Sequence, residues 1–146
     1  MQSNRSRDTA PELALRRRLH AAGLRYRVCA RPLPDVRRTV DVVFRSAKVA
    51  VEVRGCFWHG CPLHYKRPTT NDSYWAAKAA RNIARDADTE RRLVAAGWIL
   101  IVVWEHENVD YAAKTIVEVV STRREHEVAR LEPDVAASPA GGAQDP

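Results

Sequence analysis

The sequence predicts an α/β protein in which one mixed central β-sheet is flanked by helices, and three observations point to this class. Two valine-rich segments, residues 39–44 and 48–55, follow each other across a short polar turn. A near-continuous apolar run at residues 98–105 is typical of a strand buried on both faces. Stretches with helical periodicity occur at positions 8–24, 71–97 and 110–131.

The first helix is indicated by the residues at its ends. Thr9 and Glu12 have capping-box spacing, and a proline at position 11 is tolerated in a first helical turn. Gly23 marks the exit. The arginines at positions 16–18 are expected to face mostly outward. The expected buried stripe consists of Leu13, Leu15, Leu19 and Ala22.

The remaining elements follow from turn residues and valine content. Residues 25–38 have the pattern of a short strand followed by a proline-rich turn. The two valine-rich segments are too short for good helices and predict a β-hairpin. The long helix is expected to begin at Asn71 or Asp72 and to end at Gly97. We expect one domain over residues 1–132, with a disordered tail over residues 133–146.

Composition narrows the classes of function. The chain has 146 residues, a net charge of +6 and a sequence pI of about 9.6, a balance that favours an anionic partner such as nucleic acid. A soluble protein that merely happens to be basic has the same charge, so charge alone decides little between the two. No apolar run reaches membrane-spanning length and no secretory segment opens the chain, so a cytoplasmic protein is expected. An odd count of three cysteines argues against a disulfide framework. Cys29, alone in a predicted strand, is expected to be a small core residue.

The loop after the hairpin has the ligand spacing of a metal site. Cys56, Cys61 and His64 follow the pattern C-x4-C-x2-H, which is rarely accidental and favours zinc over two buried cysteines beside solvated histidines. Structural zinc normally takes four ligands in a closed tetrahedron. His106, just past the apolar strand, is the favoured fourth ligand, and His59 within the loop is its competitor. Zinc would tie this loop to the sheet.

The hairpin also carries acidic residues at unexpected places. Asp41 is flanked by apolar residues, and Glu52 and Arg54 share one face of their strand because side chains alternate. If Asp41 lies on that face, the three groups converge as a magnesium site for phosphodiester cleavage. Charges of an edge strand facing water are an equally good explanation for Glu52 and Arg54 alone. The combination with Asp41 and nearby His59 favours a site.

Aromatic and basic residues near the loop suggest contact with DNA. Such aromatic side chains can wedge between base pairs, although a small core beneath the zinc loop is the safer interpretation for any one of them. They are Phe57, Trp58 and Trp75. One face of the long helix could follow phosphates or could simply be solvated. Its residues are Lys78, Arg81, Asn82 and Arg85, and the basic residues around the loop include Lys66 and Arg67.

Seven motifs, in this order, resemble those of the very short patch repair (Vsr) endonucleases: "RDTAPE", "VDVVF", "GCFWHGCPLH", "YW", "ARNIARD", "AAGW" and "VVWEHE". The resemblance covers roughly residues 5 to 108, and "GCFWH" is highly specific. It implies a restriction-endonuclease-like fold with a zinc-stabilised loop. It also implies a DNA nickase that cuts 5′ of the thymine at a T:G mismatch formed by deamination of 5-methylcytosine.

The resemblance implies roles for particular residues. Asp41 matches the metal-binding aspartate, His59 a catalytic histidine, and Glu12 a glutamate that supports the active site. The structural zinc ligands fall at Cys56, Cys61, His64 and His106, the last three as exchanges between cysteine and histidine that zinc tolerates. The aromatic wedge corresponds to Phe57, Trp58 and Trp75. Lys78, Asn82 and Arg85 complete the expected DNA-binding set.

One position departs from the family pattern. The best-known member has threonine-histidine directly before GCFWH, where this chain has Val53-Arg54. The Val53 carbonyl can still bind metal, but a second catalytic histidine is missing. Glu52 and Arg54 are closer to the acid-x-lysine signature of the wider nuclease superfamily, so Glu52 is expected to join Asp41 and the Val53 carbonyl around magnesium. Arg54 takes the position of the lysine in that signature, and it is expected to be a catalytic residue that stabilises the scissile phosphate.

The expectation is therefore a monomeric, Mg²⁺-dependent and Zn²⁺-stabilised endonuclease that acts on double-stranded DNA with a mismatch. Mismatch-repair proteins are further candidate partners, and no membrane is expected. A nuclease of the same fold that nicks modified or foreign DNA in a defence system would cut without a mismatch. A non-catalytic zinc-containing DNA-binding module is the third hypothesis, and the intact Asp41, Glu52 and His59 argue against it.

Overall fold

The computed structural model describes residues 7–56, 59–64 and 69–131. The part described contains a four-stranded sheet in the order β1-β2-β3-β4. The pairs β1–β2 and β2–β3 are antiparallel and β3–β4 is parallel, so the mixed α/β sheet predicted from the sequence is confirmed. In chain order the elements are α1 (Ala10–Ala21), β1 (Arg27–Ala30), β2 (Val40–Phe44), β3 (Val49–Arg54), α2 (Asp72–Ala95), β4 (Ile99–Trp104) and α3 (Val109–Leu131).

Helices cover both faces of the sheet. Successive strand residues alternate between faces, and Val42 and Val51 belong to a core that includes Leu15 of α1 and Ile116 of α3. The neighbouring residues Val43 and Ala50 pack on the other side with Leu93 of α2 and with Trp98. Burying a side chain of this size stabilises the fold by about 1.5 to 3 kcal/mol. The sheet therefore separates α2 from α1 and α3.

The buried stripe of α1 differs from the expected one. Leu15 and Leu19 are fully buried, but Leu13 is 37% exposed and Ala22 is also exposed. Leu13 lies two positions from Leu15 and thus about 200° around the helix, so both cannot face the same core. Leu24, beyond the helix, is buried in their place.

The apolar run of β4 was expected to be buried on both faces, and it packs against both cores but is less completely buried than expected. Val103 is the one buried residue of β4, and the other five are half-buried. The physical reason is position, because among the described strands β4 lies at the end of the sheet with β3 as its neighbour. Side chains of an edge strand have helices above and below them but nothing beside them.

The remaining observations concern membrane crossing and the residues outside the described ranges. Within the described ranges, no helix combines the length and the apolar character that a membrane crossing requires. The predicted disordered tail, the aromatic pair Phe57-Trp58 and the basic residues Lys66 and Arg67 lie outside the described residues.

Candidate active site and Cys/His cluster

Three strands of the sheet have an end at the same place. β3 and β4 are parallel and both end there, whereas the antiparallel β2 begins there. The pairing of β2 with β3 runs from Phe44 and Val49 to Val42 and Val51, and Asp41 and Glu52 are the next residues of their strands at this end. The Glu52 carboxylate lies close enough to Asp41 to help raise its pKa, so the hairpin brings the two carboxyl groups near each other.

Asp41 is anchored by a backbone hydrogen bond. Its Oδ2 accepts the N–H of Val53 at 2.7 Å. The N–H and C=O of one residue point to the same side of an extended strand. The Val53 carbonyl consequently faces the side on which Asp41 lies, which is where a shared metal ion would need it.

The surroundings of Asp41 disfavour its negative charge. Burial is the largest cause that raises the pKa of Asp41, to about 6, while the hydrogen bond from Val53 opposes the rise. The nearby carboxylates of Glu12 and Glu52 raise this pKa further, and His59 lowers it. An excess of negative charge in a partly desolvated place is relieved by a bound cation. The donor set of carboxylate and carbonyl oxygens fits Mg²⁺, a hard cation.

Glu12 reaches this place from the first turn of α1. Its backbone N–H donates to the Thr9 hydroxyl at 3.5 Å, as the capping-box spacing predicted. Its Oε2 accepts the N–H of Asp8 at 2.9 Å, rather than that of the N-cap residue itself. The side chain is buried, with 8% exposure, so the helix start fixes one carboxyl group near Asp41.

Glu52, Arg54, Asp86 and His59 form a chain of polar contacts on the α2 side. Arg54 donates to Glu52 Oε2 from Nη2 at 2.8 Å and from Nε at 3.0 Å, and Nε lies 3.9 Å from Asp86 Oδ2. His59 Nδ1 lies 2.7 Å from the same Asp86 oxygen. Arg54 is 12% exposed, so these charges are mostly withdrawn from water.

Asp86 was not singled out from the sequence. It lies four residues after Asn82 and eight after Lys78, on the helix face that carries the predicted basic stripe. An acid one helical turn after Asn82, on the face of the basic stripe, was the signal that could have found it. Glu105 was missed as well: its Oε1 accepts the N–H of Cys56 at 2.9 Å, and its N–H donates to the Arg54 carbonyl at 2.9 Å.

A second group of side chains lies beside this site. The metal-binding atoms of Cys56, Cys61, His64 and His106 all lie within 4.8 Å of one another. Arg54 and Trp104 pair at the ends of the parallel strands. Cys56 and His106 each follow two residues later, which explains why residues 50 positions apart meet. Cys61 and His64 come from the loop over residues 59–64.

The spacing of these atoms fits a tetrahedral metal ion. Zinc, at about 2.0 to 2.3 Å from nitrogen and sulfur, would separate its ligand atoms by roughly 3.3 to 3.8 Å. His106 Nδ1 lies 3.1 Å from Cys56 Sγ and 3.7 Å from Cys61 Sγ, and His64 Nδ1 lies 3.9 Å from Cys61 Sγ. His59 belongs to the other group, through Asp86. The cluster can therefore hold a metal with the four residues expected.

The two cysteines differ in their readiness to ionise. Burial is the largest cause that raises the pKa of the Cys56 thiol, to about 11. Burial also opposes ionisation of Cys61, but hydrogen bonds from the Leu63 N–H and from His64 outweigh it and lower that pKa. Because only thiolates bind metal, Cys61 is the readier ligand and Cys56 must lose its proton on binding.

The predicted DNA-contacting residues of α2 differ in environment. Arg81 and Arg85 are exposed, whereas Trp75, Lys78 and Asn82 are half-buried. The Lys78 ammonium lies 5.7 Å from the centre of the Trp75 ring, within cation–π range. Exposed arginines on this face remain available to an anionic partner.

Comparisons with known proteins agree with the motifs. A family model described as "DNA mismatch endonuclease Vsr" matches residues 1–64. The chain is 44% identical over 122 residues to the Type II nicking enzyme V.NaeI of Lentzea aerocolonigenes. The aligned residues cover 82% of this chain and 74% of the relative.

Two further relatives extend this likeness. Identity to the Type II nicking enzyme V.XorIIP of Xanthomonas oryzae pv. oryzae is 42% over 115 residues, 77% of this chain and 82% of the relative. Identity to the DNA mismatch endonuclease Vsr of Escherichia coli K12 is 36% over 107 residues, 72% of this chain and 66% of the relative.

Proposed function

Because the chain belongs to the Vsr family of DNA endonucleases, we propose that it is a Mg²⁺-dependent nickase that cuts one DNA strand 5′ of the thymine in a T:G mismatch. The single observation that carries the chemistry is the convergence of Asp41, Glu12 and Glu52 beside the His59–Asp86 pair. We also propose that the chain has the restriction-endonuclease-like fold.

The metal-holding residues are Asp41, Glu52 and the carbonyl of Val53. When bound there, Mg²⁺ would polarise the phosphate and neutralise charge that develops on it. The chain's own contribution is to hold these oxygens in place: the Val53 N–H fixes Asp41, and Arg54 fixes Glu52. Glu12 supports the site from α1 and adds to its negative potential.

His59 is the proposed general base. Its Nδ1 is engaged by Asp86, which orients the ring and selects the tautomer with Nε2 free to accept a proton. Nε2 takes the proton of a water whose oxygen forms a new bond to phosphorus, while the bond from phosphorus to the leaving oxygen breaks. A free Arg54 N–H can donate to the negative charge that develops on the phosphate.

The cluster of Cys56, Cys61, His64 and His106 is a proposed structural zinc site. Four cysteine and histidine ligands with no open position are the pattern of structural rather than catalytic zinc. The ion would join the ends of β3 and β4 to the loop that carries His59. In this arrangement zinc positions the general base without taking part in the reaction.

DNA binding is assigned to two aromatic residues that follow Cys56 in the sequence and to residues of α2. Phe57, Trp58 and Trp75 would insert at the mismatch, and Lys78, Asn82 and Arg85 would contact phosphates. Mismatched duplex DNA is thus the proposed partner. The chain is proposed to act as a monomer of one domain over residues 1–132, and mismatch-repair proteins remain candidate partners.

A nicking assay tests the proposal. Duplexes that differ only in a T:G or a C:G pair are incubated with the protein, with and without Mg²⁺, and the nicked strand is mapped. Nicking of the T:G duplex alone, and only with Mg²⁺, is expected. Equal nicking of both duplexes would favour the second candidate, a nickase of modified or foreign DNA. The name "Type II nicking enzyme" of the two relatives with 44% and 42% identity is the observation that keeps this candidate.

A further inference from the structure

Arg54 lies between two carboxyl groups of the active site. Two of its nitrogens contact Glu52 Oε2, at 2.8 and 3.0 Å, and Nε lies 3.9 Å from Asp86 Oδ2. Both contacts with Glu52 involve the same oxygen and so leave its Oε1 available to a metal ion at Asp41. One carboxylate can then bridge a guanidinium on one side and a metal ion on the other.

The two sides of the site differ in how their charge is balanced. Glu52 and Asp86 face the fixed positive charge of Arg54. Asp41 and Glu12 accept hydrogen bonds from the neutral N–H groups of Val53 and Asp8. The Asp41 side is therefore where a divalent ion gains most, while on the other side a cation is already present.

Nucleases with two metal ions hold them roughly 3.5 to 4 Å apart, often with a carboxylate that bridges both. The guanidinium group of an arginine keeps its positive charge at every physiological pH, and the group is planar and rigid. Arg54 is 12% exposed and its Nη2 lies 2.8 Å from Glu52 Oε2, so the guanidinium already lies where a second ion would contact this carboxylate. It satisfies the same carboxylates that the ion would bind.

We propose that Arg54 is a built-in cation that takes the place of a second metal ion, so that the active site binds one divalent ion rather than two. The inference rests on the proposed function only in assuming a metal at Asp41. Arg54 thereby has a positioning role for Glu52 and Asp86, in addition to any contact with substrate. Its removal should create a second metal site instead of merely weakening the first.

The test counts bound ions without DNA and without nicking. Protein that already holds metal in its Cys/His cluster is titrated with Mn²⁺ in a calorimeter. We expect one ion for wild type and two for Arg54→Ala, the second at Glu52 and Asp86. Arg38→Ala is the matched control, since it removes an arginine that also pairs with a carboxylate, Asp88 at 2.6 Å, away from the active site. The control should bind one ion.

Two further variants protect the test against misfolding. Arg54→Gln keeps a hydrogen-bond donor but no charge and should also bind two ions, whereas Arg54→Lys keeps the charge and should bind one. Melting curves establish that each variant is folded. Two ions in wild type, none in wild type, or one ion in both neutral variants would overturn the proposal.

A kinetic signature accompanies the ion count. With Arg54→Ala, nicking should fall by roughly tenfold or more at low Mg²⁺ and recover to within a few-fold at high Mg²⁺, with a steeper dependence on Mg²⁺ than wild type. A protein that nicks no duplex but follows the expected ion counts would disprove the proposed function and leave the role of Arg54 intact. A protein that nicks the T:G duplex but binds the same number of ions with and without Arg54 would disprove the role of Arg54 and leave the proposed function intact.

Discussion

At the scale of single residues, the site depends on Asp41, whose carboxyl group is partly desolvated and yet hydrogen-bonded. Its approach to Glu52 was predictable, because a short hairpin between the two valine-rich strands leaves few other registers. The place of Asp86 was not, since it depends on how α2 lies across the sheet. The sequence predicts which residues share a face of α2, but the residues that this face contacts depend on how the helix packs.

Asp41→Asn should abolish nicking and leave DNA binding within a few-fold of wild type. An amide is a poor ligand for a hard cation, but its oxygen can still accept the Val53 N–H, so the fold is kept. Nicking assays and binding isotherms at saturating Mg²⁺ check this. Activity within a few-fold of wild type would exclude Asp41 as an essential ligand.

The same variant should reveal how stability depends on pH when Mg²⁺ is absent. Burial raises the pKa of Asp41 to about 6 in the folded chain, against roughly 4 in the unfolded chain. Because ionisation is harder when folded, the contribution of Asp41 to the free energy of unfolding should fall as pH rises from about 4 to about 6. Asp41→Asn cannot ionise and should be more stable at pH 7 by on the order of 2 kcal/mol, but not at pH 4. Urea unfolding at both pH values measures this difference, and equal stabilities at pH 7 would contradict it.

Asp86→Asn should slow nicking by roughly 10² to 10⁴-fold, as expected when a general base loses the carboxylate that orients it. DNA affinity should change little, because Asp86 faces His59 and Arg54 rather than solvent. Single-turnover kinetics and binding measurements separate the two effects. Asp88→Asn, two residues along the same helix, is the control and should nick normally; an equal loss there would indicate damage to α2 instead.

At the scale of elements, the parallel pairing of β3 and β4 builds both groups of functional residues. The strand ends carry Arg54 towards the active site and, two residues later on each strand, Cys56 and His106 towards the cluster. The valine content predicted the strands and the ligand spacing predicted the cluster. The edge position of β4 was not predictable, since strand order depends on pairings between distant segments, and an apolar run fits a central or an edge strand.

Cys56→Ser should release the metal and lower the melting temperature, because a closed four-ligand site adds its binding free energy to folding. Elemental analysis should give about one zinc per wild-type chain and much less for the variant. Cys29→Ser is the matched control, as its thiol lies outside the cluster beside Thr39. Wild-type protein that is free of metal and yet fully stable would end the structural-zinc interpretation.

At the scale of the whole molecule, the sheet separates two surfaces with different tasks. α2, with its exposed arginines, lies on the face that also carries Glu52 and Arg54, while α1 and α3 close the opposite core. The net charge of +6 predicted an anionic partner but could not say which surface receives it. We propose that the α2 surface receives it, because among the described residues this surface is continuous with the polar chain that leads to His59.

The salt dependence of DNA binding tests this division of surfaces. Each phosphate contact that is lost should reduce the slope of log K against log salt concentration by about 0.9. We therefore expect a smaller slope for Arg81→Ala and for Arg85→Ala, both of which are exposed on α2. Arg130→Ala, exposed near the end of α3 on the other side of the sheet, removes the same charge and should leave the slope unchanged. Equal reductions in all three variants would mean that DNA responds to net charge alone, and that α2 has no privileged contact with the phosphates.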